Sequence, residues 1–361
     1  TRPHDPPKEI ITLPEYRRRY ASYRETAELQ DVHIAHPMIW VWDDHETANG
    51  AWRDGAGNHD ETIDGPFALR SAAAVQAALE WLPIRSPDAA NPLRIYRHFS
   101  FGPLCDLTMI DTRRIGRDQQ GDNNAEQGFV QTGVFADGAR EILGATQQAW
   151  VSEQLAQPGH SWRLLGNQVV MAPLKIVGAP RASGASVFAN ADQWDGYEPA
   201  RDRFLDAAAA ANVQNLVVLT GDVHASMAFE IARAPNNPAS YDGLTGRGSE
   251  GVELVTPSIS SAGENEAQST DPETLVEQLI VRGSEALRAT NPQLKLFDAN
   301  LNGYLLLTVQ PATLRAEFWL VPTVQSITSE QTLRYAFDVA SGSNALVEDL
   351  VVRATSSVAG A

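Results

Sequence analysis

Two short apolar runs that stop dead in clusters of acids and histidines constrain this chain more than anything else in it. Met38–Trp42 is continuously apolar and is followed by Asp43-Asp44-His45-Glu46. Val213–Leu219 is followed by Thr220-Gly221-Asp222-Val223-His224 after only Gln214 and Asn215 interrupt it. A short apolar run bounded by polar turns reads as a buried strand. Side chains at the carboxyl ends of such strands are held at fixed angles and face the crevice where layered α/β proteins bind ligands. Carboxylate and imidazole together are donors for Zn, Mn and Fe, and the carboxylates also for Ca. The i, i+2 spacing of Asp222 and His224 suits two ligands flanking a pair of ions, the arrangement that activates water and clamps both oxygens of a displacement. Either cluster alone also fits a capping or hydrogen-bonding turn; their pairing favours metal.

The rest of the chain is read around these two strands. Thr12-Leu13-Pro14-Glu15 has capping-box spacing with proline in the first turn, and predicts a helix running to about His33. Pro37 breaks it. Residues 47 to 66 read as a loop, Ser71–Leu82 as an Ala-rich helix, and Ile95–Phe101 and Leu104–Ile110 as strands joined at Gly102-Pro103. Arg113–Asn124 reads as a charged loop, Thr146–Ala156 as a helix, Trp162–Met171 as a strand, Gly178–Tyr197 as a long surface loop, and Glu198–Ala211 as a helix. A strand at Gly251–Val255, a polar helix around Asp271–Ala289 and a run of strands from Tyr304 to Val352 complete the pattern. Strands separated by helices, then strands alone, predict α/β layering followed by antiparallel sheet.

With 361 residues, 43% of them hydrophobic, the chain can bury a sizeable core. The net charge of −17 excludes wrapping of nucleic acid, whose phosphates it repels. Its single cysteine, Cys105, rules out an intrachain disulfide and reads as inert core. No apolar run is long enough to span a bilayer, and the first residues, Thr1-Arg2-Pro3-His4, do not read as a signal peptide.

Trp42-Asp43-Asp44-His45-Glu46 with Asn49, and Gly221-Asp222-Val223-His224, resemble the two downstream metal motifs of the PhoD-like phosphatases, within the calcineurin-like metallophosphoesterases. The likeness continues in order through Leu13-Pro14-Glu15-Tyr16-Arg17-Arg18-Arg19-Tyr20, Ile110-Asp111-Thr112-Arg113, Trp162 with Gly166-Asn167, Gln193-Trp194-Asp195-Gly196-Tyr197, Val255-Thr256-Pro257-Ser258 and Gly303-Tyr304. This resemblance implies one domain over residues 1–361, a four-layer α/β/β/α sandwich incomplete at its N-terminus. It implies hydrolysis of phosphate monoesters or diesters; the alternatives are a phospholipase D-like phosphodiesterase and a non-catalytic scaffold relative.

By the same resemblance, Asp44, Asp222, His224 and Asn49 are metal ligands and His45 assists the leaving group. Asp43 orients His45, and Arg113, Asn167, Trp194 and Tyr197 contact substrate. Arg113 also fits a buried Asp–Arg scaffold pair, Asn167 a structural turn, and the two aromatics packing beneath the loop. The implied cofactors are two metal ions, Fe³⁺ with Ca²⁺, with Zn, Mn or Mg as substitutes, and the implied location is periplasmic or extracellular. The family's upstream motifs, a Gly-Asp-x-x-Tyr-like segment and an earlier ligand that is often Cys, are not found here. The expected partner is a phosphate-ester substrate; the missing motifs imply either a separate N-terminal fragment of the same protein that completes the site, a truncated sequence, or an inactive relative.

Overall fold

The computed structural model describes residues 3–121, 128–261, 284–328 and 330–353. The chain opens with α1 (Leu13–Arg24) and α2 (Ala27–Ala35), two helices where one was expected. Thr26 adopts an extended backbone and starts the second. The capping signal is real: the Glu15 carboxylate accepts the backbone N–H groups of Thr12 and Ile11, both at 2.9 Å. A one-turn helix α3 (Glu61–Asp64) and the long α4 (Phe67–Trp81) follow, and α4 packs on α1 through Ala74, Ala77 and Tyr16.

Strands β1 (Arg97–Phe101) and β2 (Cys105–Met109) form the antiparallel hairpin the sequence predicts. After helix α5 (Gly144–Leu155) come β3 (Trp162–Gly166) and a small hairpin of β4 (Lys175–Val177) with β5 (Val187–Phe188). Helix α6 (Glu198–Ala210) leads into β6 (Leu216–Thr220), then β7 (Ser226–Ile231) and β8 (Gly251–Val255). Helix α7 (Ser284–Thr290) is the described part of the polar helix expected around Asp271–Ala289; the remainder lies outside the described residues. Strand β9 (Leu294–Asp298) completes a seven-stranded sheet in the order β1-β2-β3-β6-β8-β7-β9, parallel from β2 through β8. A second, antiparallel sheet follows: β10 (Asn302–Val309), β11 (Thr313–Val321), β12 (Thr332–Ala340) and β13 (Val347–Glu348).

The two sheets face each other. Cys105, Trp162, Leu164, Val217, Val252 and Leu296 of the large sheet meet Leu314, Ala316, Phe318, Leu320, Phe337 and Val339 of the small one. The other face of the large sheet, with Leu165, Val218 and Phe229, is covered by Val151 and Leu155 of α5 and Phe204, Leu205 and Ala208 of α6. This is the mixed α/β sandwich read from the sequence. The parallel strands β3, β6 and β8 are buried on both faces and mostly apolar, as a sheet covered on both sides requires.

Two expectations are corrected and one is qualified. Met38–Trp42 is not a strand: it runs without a sheet partner, Met38 is exposed, and only Trp42 is buried. An apolar run gives burial without saying whether a backbone neighbour exists to bond. The stretch Arg113–Asn124 is a charged loop as expected in its described part, but Arg113, Arg114 and Arg117 are buried in place of facing solvent; residues 122–124 lie outside the described residues. The stretch Gly178–Tyr197 is a surface loop only in its first half. From Ala189 onward nearly every residue is buried, and Trp194, Asp195 and Tyr197 sit in the core.

Candidate metal centre

The carboxyl ends of the parallel strands share one edge of the sheet. Strand β2 runs into Ile110-Asp111, β3 into Asn167-Gln168 and β6 into Gly221-Asp222. Gln168 ties the first two together: its Oε1 accepts from Thr112 N (2.8 Å) and Oγ1 (2.5 Å), and its Nε2 donates to Ile110 O (2.6 Å). Asp111 turns the chain back over this edge, since its Oδ1 accepts the backbone N–H groups of Arg113 and Arg114, both at 2.8 Å. Its Oδ2 accepts Trp42 Nε1 at 3.0 Å. That bond fixes the first cluster, which has no strand to hold it.

Asp43, Asp44 and Asp222 then converge, with one oxygen of each lying within 4.8 Å of the others. The Arg113 guanidinium, 1% exposed, stands among them. Its Nε donates to Asp43 (2.6 Å), Nη1 to Asp192 (2.6 Å) and Nη2 to Asp222 (2.5 Å), while Asp44 lies 3.8 Å from Nη2. Arg117 supplies a second positive charge, to Asp192 at 2.5 Å. Asp44 is held by the backbone N–H groups of Gly50 (2.6 Å) and His45 (2.9 Å), and Gln193 Nε2 donates to Asp222 at 2.7 Å. Asp222 and His224 both have positive φ, 71° and 51°. Left-handed backbone at non-glycine residues costs of order 1–3 kcal/mol and is kept where side chains must be aimed.

Electrostatics mark the cluster as short of positive charge. Four carboxylates (Asp43, Asp44, Asp192, Asp222) face two guanidinium groups. Burial, opposed by the Arg113 charge and assisted by neighbouring carboxylates, pushes Asp222 up to about 7 and Asp43 up to about 6. Asp192, gripped by both arginines, is instead held well below the usual carboxylate range. The deficit of two charges and the oxygen-rich donors fit a hard divalent cation. Asp43, Asp44 and Asp222 would hold it.

The other expected site residues are placed as follows. His45 is exposed, its ring nitrogen 4.0 Å from Asp44, and Asp43 is directed at Arg113 rather than at His45 because the guanidinium charge draws it there. His224 is exposed and its imidazole is not part of the converging group. Asn49 is exposed, with its carbonyl taken by Gly57 N–H. Asn167 is buried and fully used: Nδ2 donates to Val169 O and Thr220 Oγ1, and Oδ1 accepts Trp194 Nε1 at 3.1 Å. Tyr197 is buried between Arg117 and Arg140 and donates to Asp118 O. Asn167, Trp194 and Tyr197 thus pack beneath the site in place of walling an open face. Sequence reasoning missed Asp192, Gln193 and Arg117 as members of the cluster. The Gln193-Trp194-Asp195-Gly196-Tyr197 motif was the available signal, and its reading as surface loop hid it.

Fold and site together define a layered α/β protein with an acidic centre at the carboxyl ends of its parallel strands. The chain belongs to the PhoD-like phosphatase family, whose model matches residues 1–318. It is 31% identical over 318 residues to alkaline phosphatase D of Bacillus subtilis (strain 168), covering 88% of this chain and 49% of that protein. The solved structure titled "Structure of PhoD" superposes with a TM-score of 0.80 at 29% identity, over 94% of this chain and 60% of that one. The chain thus spans about half the length of the curated relative it matches. Among the described residues, no helix is long and apolar enough to cross a membrane.

Proposed function

We propose that this chain carries the downstream half of the active centre of a metal-dependent phosphoester hydrolase. The observation that carries the reading is the convergence of Asp43, Asp44 and Asp222 from separate parts of the chain with two negative charges unmatched. When bound there, a hard cation supplies Lewis acidity toward phosphoryl oxygens and a site for water. The chain's own residues do the rest. Asp43, Asp44 and Asp222 would hold the cation, and His224, exposed two residues after Asp222, would add an imidazole donor. His45 stands exposed at the mouth, where an imidazole gives a proton to a departing alkoxide at neutral pH. Arg113 holds the carboxylates in register, and its nitrogens are committed to them, so we assign it to the scaffold and not to the phosphoryl group.

The family resemblance supports Fe³⁺ with Ca²⁺ as the ion pair and an exported location; monoester and diester substrates are both retained. The comparisons give no support to a separate companion fragment. Titration with Mn²⁺ alone, followed by hydrolysis of p-nitrophenyl phosphate and bis(p-nitrophenyl) phosphate, tests the reading. Asp222→Asn is expected to abolish Mn²⁺ uptake and turnover together. Equal Mn²⁺ binding by both forms would sink the cation site. Metal binding without hydrolysis of either ester would favour the scaffold reading.

A further inference from the structure

Behind the loop that carries Asp44 lies a second concavity, of about 780 Å³, between α4 and the segment around Asn91–Leu93. That volume lies in the range of small-molecule sites. Its wall is apolar: Phe67, Ala68, Ala72, Val75 and Leu79 of α4, with Leu93 opposite. Its rim is acidic, with Asp54, Glu61 and Glu80 against Arg53. The Arg53 guanidinium is already shared between Asp54 (3.0 Å) and Asp118 (3.2 Å), and Glu80 is met by Arg17. Glu61 accepts the Phe67 N–H at 3.1 Å and has no ion-pair partner among the described residues. Beneath the floor, the buried Arg114 guanidinium lies 5.1 Å from the centre of the Phe67 ring and donates to Ser71.

We propose that this cleft is a binding site for an amphipathic organic cation, an aryl or alkyl body ending in an ammonium group. Charge complementarity fixes both the class and the orientation. The positive charge of Arg114 behind Phe67 disfavours a cation at the floor, and Glu61, whose carboxylate has no ion-pair partner among the described residues, favours one at the mouth. The body therefore lies inward on Val75, Leu79 and Leu93, and the charge outward. Phe67 also packs with Ala48, Ala51 and Ala56 of the loop that follows Asp44.

The test uses benzyltrimethylammonium and, as its anionic counterpart, benzenesulfonate, with backbone amide NMR shifts as the readout. The cation is expected to bind at least about tenfold more tightly than the anion, the size of one favourable charge contact. Its shifts should fall on Ala68, Ala72 and Leu93. Ala72→Trp, at an exposed position on α4 that fills the cleft, should weaken the cation at least about tenfold. Glu61→Gln, which keeps the acceptor for Phe67 N–H, should erase most of the preference for the cation, and Asp222→Asn should leave it unchanged. Equal binding of the two probes, shifts centred on Asp222, indifference to Ala72→Trp, or no binding at about 10 mM would each overturn the proposal.

Discussion

The two acidic turns of the centre are built in opposite ways. The turn at Gly221–His224 grows out of β6, which is hydrogen-bonded on both sides, to β3 and β8, and buried by helices and by the second sheet. Its position is fixed by backbone pairing, and its strain at Asp222 and His224 is absorbed by that frame. The turn at Asp43–Glu46 has no sheet partner. It is held by side chains: Trp42 on Asp111, Arg113 on Asp43, and Asp44 wrapped by the N–H groups of Gly50 and His45. Half of the centre is therefore rigid because of topology and half because of a polar network. The second half is the one mutations should loosen.

The strongest test separates chemistry from placement. His45→Ala, in the side-chain-held turn, should leave Mn²⁺ binding intact and slow ester hydrolysis by roughly 10²- to 10⁴-fold, the scale of general acid catalysis. Loss of Mn²⁺ binding in this variant would mean the exposed imidazole is a ligand. Next in size is Arg113→Met, which removes a group that touches both turns. Leaving buried carboxylates unpaired costs about 3–5 kcal/mol, to be read from urea denaturation at pH 8. An equal loss of hydrogen-exchange protection at Val217–Leu219 and at Val41–Asp44 would break the contrast drawn here.

The third test probes the rigid half through Glu253 on β8. Its buried carboxylate accepts the N–H groups of Met171 and Ala172 and the Thr220 hydroxyl, yet burial pushes it up to about 7. A carboxyl raised in the folded state costs nothing below its unfolded value near 4.5. It removes stability as pH rises from there to about 7, and no more above that. Asp43 and Asp222, raised to about 6 and about 7, act with the same sign. Stability of the metal-free chain should therefore fall between about pH 4 and about pH 7 and level off above. Glu253→Gln should be less stable throughout but show a flatter fall; an unchanged slope would remove Glu253 from the account. The smallest effect is expected of Trp42→Phe. It leaves Asp111 Oδ2 without its buried donor, a cost of about 1–3 kcal/mol, and should raise exchange at residues 41–50 with little change at β6.

How much was legible follows the same division. The strands β3, β6 and β8, and Asp222 at the end of β6, were readable because a strand buried on both faces is written as a mostly apolar run; the hairpin β1–β2 was readable from the Gly102-Pro103 turn between its two strands. Met38–Trp42 carried the same signal and is not a strand: composition reports burial, and only a neighbouring backbone makes a strand. Asp192 was invisible as a member of the centre, since it lies in a polar stretch that reads as loop and becomes part of the site only because Arg113 and Arg117 reach it. Arg113 was legible as a residue near the site, but its partners were not. A guanidinium binds phosphate and carboxylate with equal ease, and geometry alone decides which it meets.

By itself the sequence determined the burial of the sheet core, the helix that starts at Thr12, and the placing of oxygen donors after apolar runs, because each depends on a local pattern of side chains. The tertiary structure decided which donors converge, that Trp42 anchors to Asp111, and that Arg113 stands among four carboxylates. Those contacts join residues 69 to 109 positions apart in the chain, where no local pattern reaches and only the closing of the strands can bring charges together.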